Sequence, residues 1–309
     1  MWLILSFLSA TLLGLYDTCK KRALSGNGIF TLLFVNTLLC SLIFLPFIVI
    51  SYTSNALDGS IFHVEQGGWE THKYIILKSL IVLSSWMFGY AGMKNLPLSI
   101  TGPINATRPV MVLIGAIFVF GERLNLYQWI GVMLAITSFY MLSRSGKREG
   151  IDFRHNKWIL FVVLQSIFGA ISRLYDRYLM APVSEGGVGL DRMIVQSWYN
   201  IYQCLFMAIV LLIIYRRRVT QQFKFRQGKN YLLAVVLVSV FLSAADFAYF
   251  YALTFPDAMI SIVSMIRRGS VIVSFTCAAV LFHEKNLRSK ALDLMLVLLS
   301  MFFLFLGSR

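Results

Sequence analysis

Three arginines stand in the middle of apolar sequence: Arg108 in INATRPV (104–110), and Arg267 and Arg268 in SMIRRGS (264–270). A cation at the centre of a membrane helix costs roughly 2.5–3.5 kcal/mol on insertion scales, so it normally faces a bundle interior or a wet cavity. The helical neighbours of these arginines are polar. Thr101, Asn105 and Arg108 fall at i, i+4, i+7 and share one helix face; Ser239, Ser243 and Asp246 repeat the spacing. Gln196, Asn200 and Gln203 repeat it again, with Trp198 and Tyr199 beside them, and Ser261, Ser264 and Arg268 follow i, i+3, i+7. A single polar stripe serves interhelical hydrogen bonding. Four stripes, three of them charged, predict a shared aqueous cavity.

The chemistry of that cavity is cationic. Asp246 is the only acidic residue at comparable depth, so it can neutralise one arginine and leaves positive charge over. Uncompensated buried charge is costly, and the missing partner is expected to be a carboxylate or phosphate on a substrate. Arginine suits such groups because its planar fork binds them bidentately. The predicted substrate contacts are Arg108, Asn105, Thr101, Gln196, Tyr199, Asn200, Gln203, Ser243, Asp246, Ser264, Arg267 and Arg268, with Asp246 also the proton-coupling candidate.

Other ionisable residues read as structural. Lys78, Arg173, Asp176 and Arg177 lie nearer span ends, where long side chains extend toward the headgroups. Asp17 has Lys20 and Lys21 at i+3 and i+4, which predicts a local ion pair, and Asp176 has Arg173 at i−3. Glu122 and Glu284 end spans beside Arg123 and Lys285. The four cysteines form no CxxC pair and the four histidines no ligand spacing, so neither a metal site nor a cofactor is expected. The mid-span residues hold no histidine and no HExxH motif, which argues against an intramembrane enzyme with a catalytic set.

The elements that must position these residues are membrane helices. Of 309 residues, 58% are hydrophobic and only 14% charged, and the apolar residues come in runs long enough to cross the hydrocarbon as helices. The spans fall near 2–20, 29–52, 74–93, 97–120, 125–143, 157–180, 193–215, 230–253, 258–282 and 289–308. The first has no basic leader and no small-residue cleavage site, and reads as a retained span. The net charge of +14 lies mostly in short connections between spans, which fits membrane topology and not nucleic acid.

The chain also repeats itself. LYD occurs at 15–17 and at 174–176, an offset of 159; the same offset relates Ser84, Phe88, Tyr90 and Pro97 to Ser243, Phe247, Tyr249 and Pro256, and Arg108 to Arg267. Glu122 and Glu284 differ by 162. Residues 1–143 and 157–308 therefore read as two five-span units. An odd number of spans per unit turns the second upside down, giving an all-α integral membrane fold of ten transmembrane helices in two inverted repeats. That is an architecture of secondary transporters, whose substrate site lies near the midplane between the halves.

The stretch AGMKNLPLSITGPINATRPVMVLIGAIFVFGERLNLYQWIGVMLAITSFYMLS (91–143) resembles the EamA-like branch of the drug/metabolite transporter superfamily. Lys94, Pro109, Gly121–Glu122–Arg123–Leu124 and Gly131 carry the resemblance, helped by LLGLYDTCKKRAL, IFGAISRLYDRYLM and the looser ending FHEKNL. It implies a multi-pass carrier of the bacterial inner membrane without naming its cargo. The residues point to a small anionic or zwitterionic metabolite: a phosphorylated sugar, a nucleotide-linked sugar or an amino acid. The chain would meet this small-molecule substrate and the lipid bilayer as a monomer or homodimer. The alternatives are an exporter of neutral or aromatic amino acids or drug-like compounds, with Trp198, Tyr199 and Tyr202 cradling an apolar group, and a non-transporting receptor or assembly factor.

Orientation divides the two lines of argument. Eighteen lysines and arginines lie in the odd-numbered connections against four on the opposite side, which places both termini outside by the positive-inside rule. The resemblance implies cytoplasmic termini. The charge bias predicts that Asn55→Cys or Gly186→Cys is labelled from outside intact cells by an impermeant maleimide while Gln222→Cys is not; strong external labelling at 222 establishes the opposite orientation.

Overall fold

The computed structural model describes residues 1–25, 27–108, 110–111, 125–147, 155–216, 229–255, 263, 266–281 and 287–307. Among them every regular element is helical: α1 (Trp2–Leu24), α2 (Ile29–Thr53), α3 (Trp69–Asn95), α4 (Leu98–Ala106), α5 (Leu126–Lys147), α6 (Lys157–Met180), α7 (Arg192–Arg216), α8 (Lys229–Ala252), α9 (Ser270–Leu281) and α10 (Leu287–Gly307), with a 3₁₀ turn at Val183–Glu185. Six of them, α1, α2, α3, α6, α7 and α8, are long and apolar enough over the described residues to cross a membrane, and α5 and α10 carry shorter apolar stretches. Pro109, Glu122, Ser261, Ser264 and Glu284 lie outside the described residues.

The burial pattern is that of a protein whose solvent is lipid. Ile4, Phe7, Leu212 and Met295 point outward, whereas Ser6, Ser9, Lys78, Asp176, Gln196, Arg267 and Asp293 are buried. Apolar side chains gain nothing by turning inward from hydrocarbon, so polar groups and close packing hold the helices together. Serine hydroxyls do much of this by donating to carbonyls of neighbouring helices. Ser9 reaches Ala245 at 2.6 Å, Ser85 reaches Gln165 at 2.8 Å and Ser41 reaches Asn200 at 2.8 Å. Between α5 and α10 the bond is reciprocal: Ser138 donates to the carbonyl of Asp293 at 2.7 Å and Ser300 to that of Gly131 at 2.6 Å. Gly131 permits this approach, because a Cβ there would meet the carbonyl of Ser300 at 3.0 Å and the side chain of Leu304 at 2.8 Å. Such interhelical bonds average about 0.6 kcal/mol each.

The principal helix pairs are α1 with α8, α3 with α6, α2 with α7 and α5 with α10. Lesser contacts join α1 to α9, α4 to α9, α4 to α6, α2 to α8 and α3 to α7. Two breaks matter for the site. The helical hydrogen bonding of α4 is interrupted at Thr107, immediately before Arg108, and a turn at Gly269 separates Arg267 and Arg268 from α9.

Lys21 and Lys94 fasten the ends of the first helices. The ammonium of Lys21 donates to the carbonyls of Met93, at 2.6 Å, and Leu96 at the C-terminus of α3, and Lys94 donates to the carbonyl of Asn27 at 2.6 Å. Helix C-termini leave their last carbonyls without intrahelical partners, and a cation there satisfies both the lone pairs and the helix dipole. Lys21→Met is expected to cost about 1.5–3 kcal/mol of stability, read as a lower unfolding midpoint in detergent; an unchanged midpoint rejects the capping role.

Candidate functional site

A cavity of about 130 Å³ lies between α1, α3, α4, α6, α8 and α9, with Tyr199 reaching it from α7. Six cations line it, Lys20, Lys78, Arg108, Arg173, Arg267 and Arg268, against three carboxylates, Asp17, Asp176 and Asp246. Each carboxylate has a partner. Lys20 binds Asp17 at 2.7 Å along α1; Lys78 of α3 binds Asp176 of α6 across the cavity wall; Arg267 binds Asp246. The second oxygen of Asp246 accepts the Tyr199 hydroxyl at 2.8 Å. Arg108, Arg173 and Arg268 are left without a carboxylate among the described residues.

The surplus arginines are not random intrusions. Gly169 on α6 leaves the space that the Arg108 guanidinium occupies, since a Cβ at that position would overlap it. The Arg108 head makes one long contact, Nη2 to Asn105 Oδ1 at 3.4 Å, and its buried Nε has no partner. Asn105 Oδ1 also accepts the Ser166 hydroxyl at 3.1 Å. The guanidinium carbons of Arg173 and Arg267 lie 4.4 and 4.5 Å from the centroid of one ring, that of Tyr249. A desolvated cation–π contact is worth about 2 kcal/mol. Arg173 Nη1 and Arg267 Nε are buried and unpartnered. Arg108 and Arg268 each act electrostatically on the other arginines, and Arg173 and Arg267 share the Tyr249 ring, so four like charges share one region of the wall.

The structure sorts the sequence-predicted residues into two groups. Arg108, Asn105, Tyr199, Asp246, Arg267 and Arg268 line the cavity. Thr101, Gln196, Asn200, Gln203 and Ser243 do not. Thr101 donates to the carbonyl of Leu98 within α4, at 3.3 Å. Gln196 donates to the carbonyl of Ser243 at 3.4 Å, and Asn200 to that of Gln196 at 2.8 Å. Gln203 is fully buried beside them. This stripe belongs to the α2–α7–α8 packing seam, where Gln196 makes the one interhelical bond just given and both amide atoms of Gln203, Gln196 Oε1 and Ser243 Oγ are buried without a partner. Ser264 lies outside the described residues.

Two further expectations are corrected. Lys78, Arg173 and Asp176 do not extend to the headgroups; Lys78 is 2% and Asp176 6% exposed, and all three line the cavity. The side chain of Arg177 is not among those described. Asp176 pairs with Lys78 from another helix, not with Arg173 one turn away. Nor do Trp198, Tyr199 and Tyr202 form a common cradle. The Trp198 indole donates to the Tyr52 hydroxyl at 3.2 Å and stands edge-on to His72, whose Nδ1 shares a 2.9 Å hydrogen bond with Tyr202. The repeat offset carried a signal for the missed residues: Asp17 with Asp176, and Tyr90 with Tyr249, all line the same cavity as Arg108 with Arg267.

Lys78→Met leaves the Asp176 carboxylate buried and unpaired, which is expected to cost about 3–5 kcal/mol. The double variant Lys78→Met/Asp176→Asn removes both charges and is expected to recover most of the loss in the unfolding midpoint. A double variant as unstable as the single one rejects the pair as the source of the effect.

The sequence model of the EamA-like transporter family matches residues 1–144, bearing out the resemblance carried by 91–143. A solved structure, described as "Crystal structure of protein", superposes with a TM-score of 0.65 at 12% identity, over 99% of this chain and 97% of its own. That likeness is one of fold. No curated protein matches the chain.

Proposed function

We propose, from the premise that residues 1–144 are EamA-like transporter sequence, that the protein is a secondary carrier of a small anionic metabolite in the bacterial inner membrane, working by alternating access through this cavity. The observation that carries the proposal is the cavity's three arginines that hold no carboxylate among the described residues. A fixed buried cation needs an anion, and a substrate supplies one transiently.

Inverted-repeat architecture is supported by how the helices pair. Adding five to each helix number exchanges α1–α8 with α6–α3, α1–α9 with α6–α4, and α2–α8 with α7–α3, and leaves α2–α7, α4–α9 and α5–α10 unchanged. The hydrogen bonds agree. Ser138 and Ser300 differ by 162, as do their acceptors Gly131 and Asp293, and Ser41 and Asn200, which bond each other, differ by 159. A residue that touches its own repeat mate lies beside a two-fold axis. The family match also ends one residue beyond the proposed first unit, 1–143. The helix breaks at Thr107 and Gly269 put irregular backbone next to the arginines, as in carriers whose discontinuous helices line a midplane site.

In this reading Arg108 and Arg268 contact the substrate directly, and Arg267 is shared between substrate and Asp246. Substrate engagement of Arg267 withdraws the ion-pair partner of Asp246, which makes that carboxylate the residue to exchange a proton. The purified protein, in liposomes preloaded with substrate, is expected to show counterflow. Arg108→Gln and Arg268→Gln are expected to keep the apo unfolding midpoint while weakening affinity by about 10- to 150-fold, the loss of one charge-assisted hydrogen bond. Arg267→Gln should also destabilise the apo protein, because it strands Asp246, and Asp246→Asn should flatten the pH dependence of transport. Stable Arg108→Gln and Arg268→Gln proteins of unchanged affinity reject the anion site.

A further inference from the structure

We infer that the cavity is built for a phosphate monoester of a short uncharged carbon skeleton, and not for a zwitterion, a dicarboxylate or a nucleotide-linked sugar; this rests on the carrier reading and narrows it. Charge comes first. Asp17, Asp176 and Asp246 each already hold a lysine or arginine, so the wall offers an incoming ammonium no free carboxylate among the described residues. An amino acid would bring a cation into a surplus of cations and break an ion pair to place it. A polyanion meets instead three arginines, Arg108, Arg173 and Arg268, with no carboxylate at ion-pair distance among the described residues.

Arrangement separates the anions. Arg108, Arg173, Arg267 and Arg268 are grouped tightly enough to act on one another electrostatically, and two of them share the ring of Tyr249. A dicarboxylate carries its charges at two ends and calls for two separated cationic sites. A phosphate concentrates nearly two charges and three acceptor oxygens on one tetrahedral group, which converging guanidinium groups from α4, α6 and the Arg267–Arg268 segment can surround. The buried N–H donors without partners, Arg108 Nε, Arg173 Nη1 and Arg267 Nε, are the matching hydrogen-bond capacity.

Size sets the remainder of the ligand. The cavity of about 130 Å³ is well below the roughly 300–1,000 Å³ of drug-sized sites. That volume matches a phosphorylated skeleton of a few carbons better than a nucleotide. The rest of the wall includes Leu13, Val82, Trp86 and Leu242, whose apolar surface suits an uncharged skeleton.

The test uses the full chain in nanodiscs and measures both affinity and the unfolding midpoint with glycerol 3-phosphate, inorganic phosphate, succinate and phenylalanine. Glycerol 3-phosphate is expected to bind roughly tenfold or more tightly than succinate or phenylalanine, a difference of about one charge-assisted hydrogen bond. Its affinity should fall as pH drops from 7.5 to 5, through the second phosphate ionisation near pH ~6. Arg173→Gln and Arg268→Gln should each weaken it about tenfold, and Arg268→Lys, which keeps the charge and loses the fork, should recover part of the loss. Succinate or phenylalanine binding as tightly as glycerol 3-phosphate overturns the phosphate assignment and leaves the carrier reading intact. Tight phosphate-ester binding without counterflow does the reverse. If the arginine variants do not fold, the wild-type ranking of the four compounds decides alone, and an affinity for glycerol 3-phosphate that does not fall with pH also overturns the assignment.

Discussion

Six cations facing three carboxylates across one cavity impose a condition that the rest of the molecule has to meet. Removing a charge from water costs several kcal/mol even after relaxation, and a carboxylate partner returns much of that only when the geometry is good. The three pairs are good in this sense: Asp246 is held by both a guanidinium and a phenol, and Lys78 and Asp176 meet across two helices. The surplus arginines are accommodated by other means. Tyr249 supplies a ring face to two of them, Gly169 supplies room for a third, and the cavity supplies polar space. These devices tolerate the charge without neutralising it, which leaves it open to an external anion.

Around that centre the bundle uses weak, numerous contacts. Lipid offers no hydrophobic drive for helix association, so small residues and serine hydroxyls set the helix spacing. Most of the serine bonds run between partner helices of different halves, including α1–α8, α3–α6, α2–α7 and α5–α10. The interface between halves is thus stitched by bonds of small individual strength. A carrier whose halves rock against each other needs such an interface, since each bond can be exchanged at little cost.

Much of this was legible from residue types alone. Apolar runs place α1, α2, α3, α5, α6, α7, α8 and α10 to within about five residues at either end, because the hydrocarbon thickness fixes the length of an apolar segment. The depth of Arg108, Arg267 and Arg268 pointed to the cavity for the same reason: a mid-span cation has nowhere else to go. The stripe of Gln196, Asn200 and Gln203 misled because helical spacing says which residues share a face and not what that face meets. Neutral amides can be buried against a neighbouring helix at moderate cost, whereas arginines cannot. Lys78 and Asp176 were invisible for a different reason. Each lies where a lone charge could reach water, and only the packing of α3 on α6 reveals that they meet.

The arginines also connect the site to the motion that the proposed function requires. Arg108 follows the interruption of α4 at Thr107, and Arg267 and Arg268 precede the turn at Gly269. These cations therefore sit on backbone that the helical hydrogen bonds do not fully constrain, Arg108 within residues 1–143 and Arg267 and Arg268 within residues 157–308. A polyanion held by Arg108 and Arg268 together ties the two halves through its own charge, and it competes with Asp246 for Arg267. The empty carrier keeps Arg267 on Asp246, and Arg108 and Arg268 repel each other across the space. The loaded carrier replaces that repulsion with attraction to a common partner. In the proposed carrier, an anion between them adds an attraction that outweighs this repulsion, so the same arginines that bind it would favour drawing their two segments together.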